Sequence, residues 1–284
     1  MTVATSPNPG EFFDPDPSTI NDPANVQSLG RARVELLRLG TKKYQMRQRV
    51  GYQDPKTSEN FIIPRHLTWT CDLSSNPVVF SWVIPVLGNH FNAILLHDCL
   101  VEHATEGVQG TDYIGTKVTR EEVDRITRDA MHELGTGFVR RWMAWVGMTA
   151  GTIFSKQSLG DGSRQLFFMT LLAAHVLAIV ILGVLATGDL LDAWAVYPWM
   201  GGRGFFAQFA TASLASLVIP AAMSLLWWKR WRFGLVLGLI LGPLLPAILT
   251  TAALSALYVV AELFFSRLLK LAKKEKEALP PDGV

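Results

Sequence analysis

Apolar residues fall along this chain in three successive patterns. Up to residue 28 they are isolated among Asp, Asn, Ser, Thr and five prolines (Pro7, Pro9, Pro15, Pro17, Pro23), with no period of 2 or 3.6. So little apolar surface does not offset the entropy of ordering a backbone, which predicts a disordered arm over residues 1–30. The arm has neither the basic start nor the apolar run of a signal peptide. From Arg33 to Tyr52 alternation sets in. Tyr44, Met46, Val50 and Tyr52 lie two or four apart with Gln45, Arg47 and Arg49 between them, the pattern of a half-buried strand in a hairpin. Residues 60–70, with Phe61-Ile62-Ile63-Pro64 and then Leu67 and Trp69, read as a further extended segment that Pro64 confines to an edge or a break.

The third pattern is helical. Residues 89–103 carry Phe91, Ile94, Leu95, Leu96, Leu100 and Val101 without Gly or Pro, which predicts a buried helix. Thr119-Arg120-Glu121-Glu122 is a capping box opening a second helix, with Val123, Ile126, Ala130 and Leu134 as its apolar stripe and Gly135 and Gly137 as its stop. Residues 138–154 follow with Arg140, Arg141, Trp142 and Trp145, a basic and aromatic mixture suited to a water–lipid boundary. Residues 166–186 then contain no formal charge, enough to cross a hydrocarbon core of about 30 Å. A second run covers 205–228. A third covers 233–265, whose only formal charge is Glu262 and whose middle, Gly242-Pro243-Leu244-Leu245-Pro246, predicts a break.

The expected fold class is α+β followed by all-α. A small soluble domain of strand hairpins plus helices occupies 31–155. A membrane domain of about three transmembrane helices occupies 156–265, with spans at 166–186, 205–228 and 233–265, the last broken at 242–246. A basic tail, 266–284, ends the chain. Charge supports this division: residues 1–165 carry 17 Lys+Arg and 18 Asp+Glu, whereas residues 166–284 carry 9 and 6. Lys156 and Arg164 before the first span, Asp189 and Asp192 after it, and Lys229, Arg230 and Arg232 after the second place the N-terminal domain in the cytoplasm by the positive-inside rule. The tail residues Arg267, Lys270, Lys273, Lys274 and Lys276 fit a re-entrant hairpin over 233–265 with the tail inside, or a third full crossing with the tail translocated. The lipid bilayer is the expected partner. A net charge of +2 without a basic block in the soluble half predicts no nucleic-acid binding.

Candidate chemistry gathers around two elements, Cys71-Asp72-Leu73-Ser74-Ser75-Asn76-Pro77 and Leu95-Leu96-His97-Asp98-Cys99-Leu100. Here the sequence resembles an uncharacterised phage and prophage family, domain of unknown function 1353. That family shows a strand with Val-Pro-x-Gly-Phe, then Thr-Asp-x-Ala-Ser-x-Pro, an apolar helix with His-Asp-x-Leu, and a helix with an Asp and an Arg-rich aromatic end. Ile63-Pro64 matches the start of the strand motif. Asp72, Ser75 and Pro77 match the second motif, His97, Asp98 and Leu100 the third, Asp124 the helix Asp, and Arg140-Arg141-Trp142-Met143 the end. The sequence departs from the pattern at His66-Leu67, where Gly-Phe is usual, at Cys71, where Thr is usual, and in two extra residues between Pro64 and Asp72. The resemblance covers residues 33–150 and implies a small α+β domain of phage or prophage source.

A His beside an Asp on a buried helix titrates near neutrality next to a carboxylate that orients it or binds a metal. Adjacent helix residues point about 100° apart, so one of the two needs a partner from elsewhere. The candidate site is therefore Asp72, Ser75, His97, Asp98 and Asp124, read either as a tie between helix and loop or as an acid–base or metal-dependent hydrolase site. No Gly-x-Ser-x-Gly elbow is present. His97 and Cys99 diverge by about 200° on a helix, a poor zinc pair. In the membrane half, Gly234, Gly238 and Gly242 form a ladder permitting close backbone approach, either between spans of one chain or between copies in a homo-oligomer. His175 inside the first span requires a partner on a neighbouring helix. Two functions compete: a membrane-anchored interaction or assembly module in lysis, host-membrane remodelling or exclusion of rival phage, and a membrane-tethered hydrolase using Asp72, His97 and Asp98.

Overall fold

The structure is a computed structural model that describes residues 4–40, 43–72, 84–85, 87–106, 112–155, 162–200 and 204–278. Among the described residues, seven short strands precede six α-helices, an α+β layout. The strands are β1 (Phe12–Pro15), β2 (Ser28–Arg31), β3 (Leu36–Arg38), β4 (Tyr44–Met46), β5 (Val50–Gln53), β6 (Asn60–Ile63) and β7 (Thr70–Cys71). They form two antiparallel sheets, β2-β1-β5-β6 and β3-β4-β7. The alternating stretch from Tyr44 to Tyr52, expected as one strand of a hairpin, is divided between the sheets: β4 forms a hairpin with β3, Leu37 opposite Gln45, and β5 joins the other sheet. β6 lies at a sheet edge and stops at Ile63, before the proline that has no amide to offer.

The expected disordered arm is instead part of the first sheet. β1 runs between β2 and β5, and Phe12, Phe13, Ile20 and Val26 are all buried. A few apolar residues suffice because the other strands present a surface ready to receive them. Phe13 pairs with Gly51, and its ring fills the space that a Cβ on Gly51 would occupy. Phe13, Ile20 and Val26 then pack with Ile62 in a small cluster of their own.

Three helices cover the sheets: α1 (Phe91–Glu106), α2 (Arg120–Glu133) and α3 (Phe138–Phe154). Thr119 caps α2 by accepting the Glu122 amide at 3.3 Å, while the Glu122 carboxylate turns to Arg125 rather than completing the box. Gly135, at φ +72°, ends the helix in a left-handed turn where the Thr136 amide donates to the Met131 carbonyl at 2.9 Å. Leu95, Leu96 and Leu100 of α1 and Val123 and Ile126 of α2 meet Val50, Tyr52 and Phe61 in the main core. α3 serves two cores. Its Met143 and Ala144 belong to that main core, while Val146 and Ile153 join Phe168, Leu172, Trp227, Phe233 and Leu237 of the C-terminal helices.

Those helices are α4 (Gly162–Leu190), α5 (Phe205–Met223) and α6 (Trp231–Ala278), with a 3-10 turn at Ser224–Arg230. Among the described residues, three helical stretches in this part, Gly162–Leu190, Phe205–Leu244 and Ile248–Lys270, are long and apolar enough to cross a membrane. The chain reverses direction at Trp228, which has φ 51° and ψ −120°. α6 therefore runs antiparallel to α5: a Cβ on Gly238 would lie 2.6 Å from Pro220, and one on Gly242 would strike the Ser216 carbonyl. The glycine ladder thus provides close approach between two helices of one chain, and its first member, Gly234, makes room for the Trp227 ring. The expected break at 242–246 does not occur, since α6 is helical throughout. A proline removes a single amide donor, a loss that a membrane helix tolerates without losing its course.

Candidate functional site

His97 occupies the face of α1 turned to α2. Its Nε2 lies 3.3 Å from Oδ1 of Asp124, a carboxylate only 1% exposed, and the Thr152 hydroxyl of α3 donates to the other oxygen at 2.9 Å. One buried carboxylate thereby joins three helices. On the other side of the imidazole, Nδ1 is 3.8 Å from Asp98 Oδ1, a charge contact beyond hydrogen-bond length, as adjacent helix positions dictate. With both ring nitrogens turned to these two carboxylates, Asp72 is not the imidazole's partner. It lies exposed beyond the end of β7, and Ser75 falls outside the described residues. Of the five candidates the structure brings together His97, Asp98 and Asp124. Among the described residues, no three His, Cys, Asp or Glu side chains are grouped closely enough to hold a metal ion.

Burial disfavours the charged imidazole, but the hydrogen bond to Asp124 and the negative charges of Asp124 and Asp98 outweigh it and hold the His97 pKa above its ordinary value. A raised folded-state pKa contributes stability that is fully present below the unfolded value of about 6.5 and is lost as pH rises through the folded value. The thermal midpoint of the full chain in detergent is therefore expected to fall, relative to that of His97→Gln, as pH rises above about 6.5. His97→Ala should cost about 1–3 kcal/mol by stranding the Asp124 carboxylate. A pH-independent difference between the wild type and the Gln variant would show that the imidazole is not charged in this pair.

A second polar centre begins one residue along α2, about 100° round the helix from Asp124. Asp54, 0% exposed just after β5, accepts from Arg125 Nη1 at 3.0 Å and Nη2 at 2.8 Å and from the Thr57 hydroxyl at 2.8 Å. Arg125 also reaches Glu122 at 3.1 Å and Asp129 at 3.2 Å. The sequence reading passed over both residues. Asp54-Pro55-Lys56-Thr57 is a turn signature in which Asp bonds the backbone ahead of it, and that signal was available. Nothing local marks Arg125 among the other charges on the polar face of α2.

Inside the helical half, His175 accepts from the Trp227 indole N–H at 2.9 Å, the cross-helix partner its position required. Both residues are buried, so the bond fixes the 3-10 turn on α4.

Residues 44–148 match the family described as "Protein of unknown function (DUF1353)". The match runs from β4 into α3, takes in both polar centres except Thr152, and stops short of the apolar helices. No curated protein and no solved structure matches the chain.

Proposed function

Because residues 44–148 form a domain of that family and are joined to three helices apolar enough to cross a membrane, we propose that the protein is a membrane-anchored interaction or assembly module. The observation that carries this reading is the double role of α3. One helix is built into the core of the family domain through Met143 and Ala144 and into the helical core through Val146 and Ile153. Arg230, in the turn between α5 and α6, forms an ion pair with Glu121 of α2, and Trp145 meets Phe233 edge-to-face at 6.2 Å. The domain is thus held against the bilayer surface as a fixed platform. Its polar centres are directed inward, tying helices and turn together. Lys229, Arg230 and Arg232 beside it support a cytoplasmic position at an inner membrane. The phage or prophage setting, in lysis, host-membrane remodelling or exclusion, rests on the family resemblance. Assembly with further copies belongs to the same proposal.

The test is accessibility to an impermeant thiol reagent in intact cells, with both native cysteines buried and silent. Cys introduced at Ser18 and at Lys229 should react only after permeabilisation, and Cys at Asp192 should react at once. Labelling of Ser18→Cys in intact cells would overturn the reading. The hydrolase alternative draws on the His97–Asp124 pair and on the 15% exposure of the imidazole side chain.

A further inference from the structure

Where the family domain meets the helical part there is a cavity of about 220 Å³, against the roughly 10–15 Å³ that one water requires. Its lining joins elements a hundred residues apart in the chain. Arg125 and Arg128 come from α2, Thr149 from α3, Lys229 and Arg230 from the turn between α5 and α6, and Arg232 from the start of α6. Two acids share the lining, Glu121 and Asp124. Asp124 is already engaged by His97 and Thr152, and Glu121 by Arg230. Arg125 is committed to Asp54, and Arg128 to Asp129 at 2.7 Å with its guanidinium over Trp142. Lys229 and Arg232 are exposed, and among the described residues neither has a carboxylate within 4.0 Å. The cavity therefore holds more cation than its own acids neutralise.

A second observation is independent of charge. Thr149 is 7% exposed and its hydroxyl has no hydrogen-bond partner, although it belongs to the cavity wall. A buried hydroxyl left without a partner costs stability unless something occupies the space beside it. Trp145 and Phe233 supply an apolar side to the same chamber, and Leu225, Leu226 and Trp228 are exposed in the adjoining turn, at the level where the hydrocarbon begins.

We infer that this cavity is a binding site for a phosphate group, with Lys229 and Arg232 as its cations and the Thr149 hydroxyl as a neutral donor. Phosphate oxygens are multiple, charged acceptors that use such a divergent set of donors together. The group comes from one of two sources, the headgroup of an anionic phospholipid or a soluble phosphate. The lipid source rests on α4–α6 being embedded in a bilayer, whereas the soluble source does not.

The test uses the full chain purified in a neutral detergent. Phosphatidylglycerol retention is read by native mass spectrometry, and the thermal midpoint is followed in millimolar inorganic phosphate against the same ionic strength of chloride. Binding should weaken about a hundredfold for Lys229→Gln with Arg232→Gln, the loss of two charge-assisted contacts, and about tenfold for Thr149→Val, the loss of one. The first pair is exposed and the second replacement nearly isosteric, and circular dichroism checks that each variant keeps its helices. Arg267→Gln with Lys270→Gln, in the distant basic end of α6, is the control and should retain lipid as the wild type does. Lipid retention lost only in the cavity variants identifies the lipid headgroup. A phosphate-specific rise in midpoint without lipid retention identifies the soluble source. Equal binding by the wild type and both cavity variants, an equal loss in the control, or no binding of either probe overturns the site.

Discussion

Arg125→Ala is expected to destabilise the full chain by about 3–5 kcal/mol, because it leaves a fully buried carboxylate with its charge uncompensated. Asp54 has no route to water at 0% exposure, and its remaining partners, the Thr57 hydroxyl and the Lys56 amide, are neutral donors. The double replacement Asp54→Asn with Arg125→Leu should recover a large share of the loss, since a buried pair exchanged for neutral groups of similar volume often costs little. The two midpoints, measured by denaturation in detergent, distinguish a pair that stabilises from one that merely must not be broken. If Arg125→Ala shifts the midpoint no more than an exposed arginine would, Asp54 is reached by solvent and the account of this centre fails.

The pH dependence of the same pair has the opposite sign to that of His97. Burial pushes the Asp54 carboxyl up, but the hydrogen bonds and charge of Arg125, with help from Thr57, hold it below the usual carboxylate value. Its contribution is therefore present above the unfolded value of about 3.9 and is lost as pH falls through the folded one. Acid should release the tie between the first sheet and α2, whereas alkali weakens the tie between α1 and α2.

Trp227→Ala should cost a comparable 3–5 kcal/mol, the range for deleting a fully buried large aromatic side chain. The indole stacks on Phe168 with centroids 6.1 Å apart, meets Phe233 at 4.8 Å, covers Gly234 and donates to His175. Its removal opens a void where α4, the reversal and the start of α6 meet. Trp227→Phe retains the ring and loses the N–H, so it should cost only about 1 kcal/mol for the bond and a little more for the volume. Hydrogen exchange gives the sharper readout. In the Ala variant protection should fall in α4 and at residues 224–240 and hold in α1, whose core residues lie in a separate cluster. Uniform loss across α1 and α4 would mean that the two cores unfold as one unit and that α3 does not separate them.

Most of the helical architecture can be read from local pattern because a helix satisfies its own backbone. The stripe Val123, Ile126, Ala130 with the Thr119 cap determined α2, and the uncharged run 166–186 determined the centre of α4. Alternation from Tyr44 to Tyr52 marked extended chain in the same way, but not that β4 and β5 would enter different sheets. Strand β1 does not, because a strand's backbone is satisfied by its neighbours. Phe12 and Phe13 acquire their meaning only when Gly51 stands opposite, and no local rule connects positions that far apart. The continuity of α6 through Pro243 is similar: the proline lowers helical propensity locally, while the course of the helix is set by its neighbours.

The polar centres divide along the same line. His97-Asp98 was visible as a pair of titratable groups in an apolar helix, and Asp124 only through the family resemblance. Their convergence depended on the crossing of α1, α2 and α3, which also brought in Thr152. The ladder of Gly234, Gly238 and Gly242 announced a close helix approach by itself, since only small residues permit one. Which helix approaches was settled by the reversal at Trp228, which lays α5 along α6 within one chain. Composition and periodicity thus determined which part of the chain is rich in charge and which is apolar, because burial free energy scales with the apolar surface each segment carries. Partners were decided only by tertiary structure, because a hydrogen bond or ion pair requires atoms a few ångströms apart, and the spacing of residues along the chain does not encode that distance.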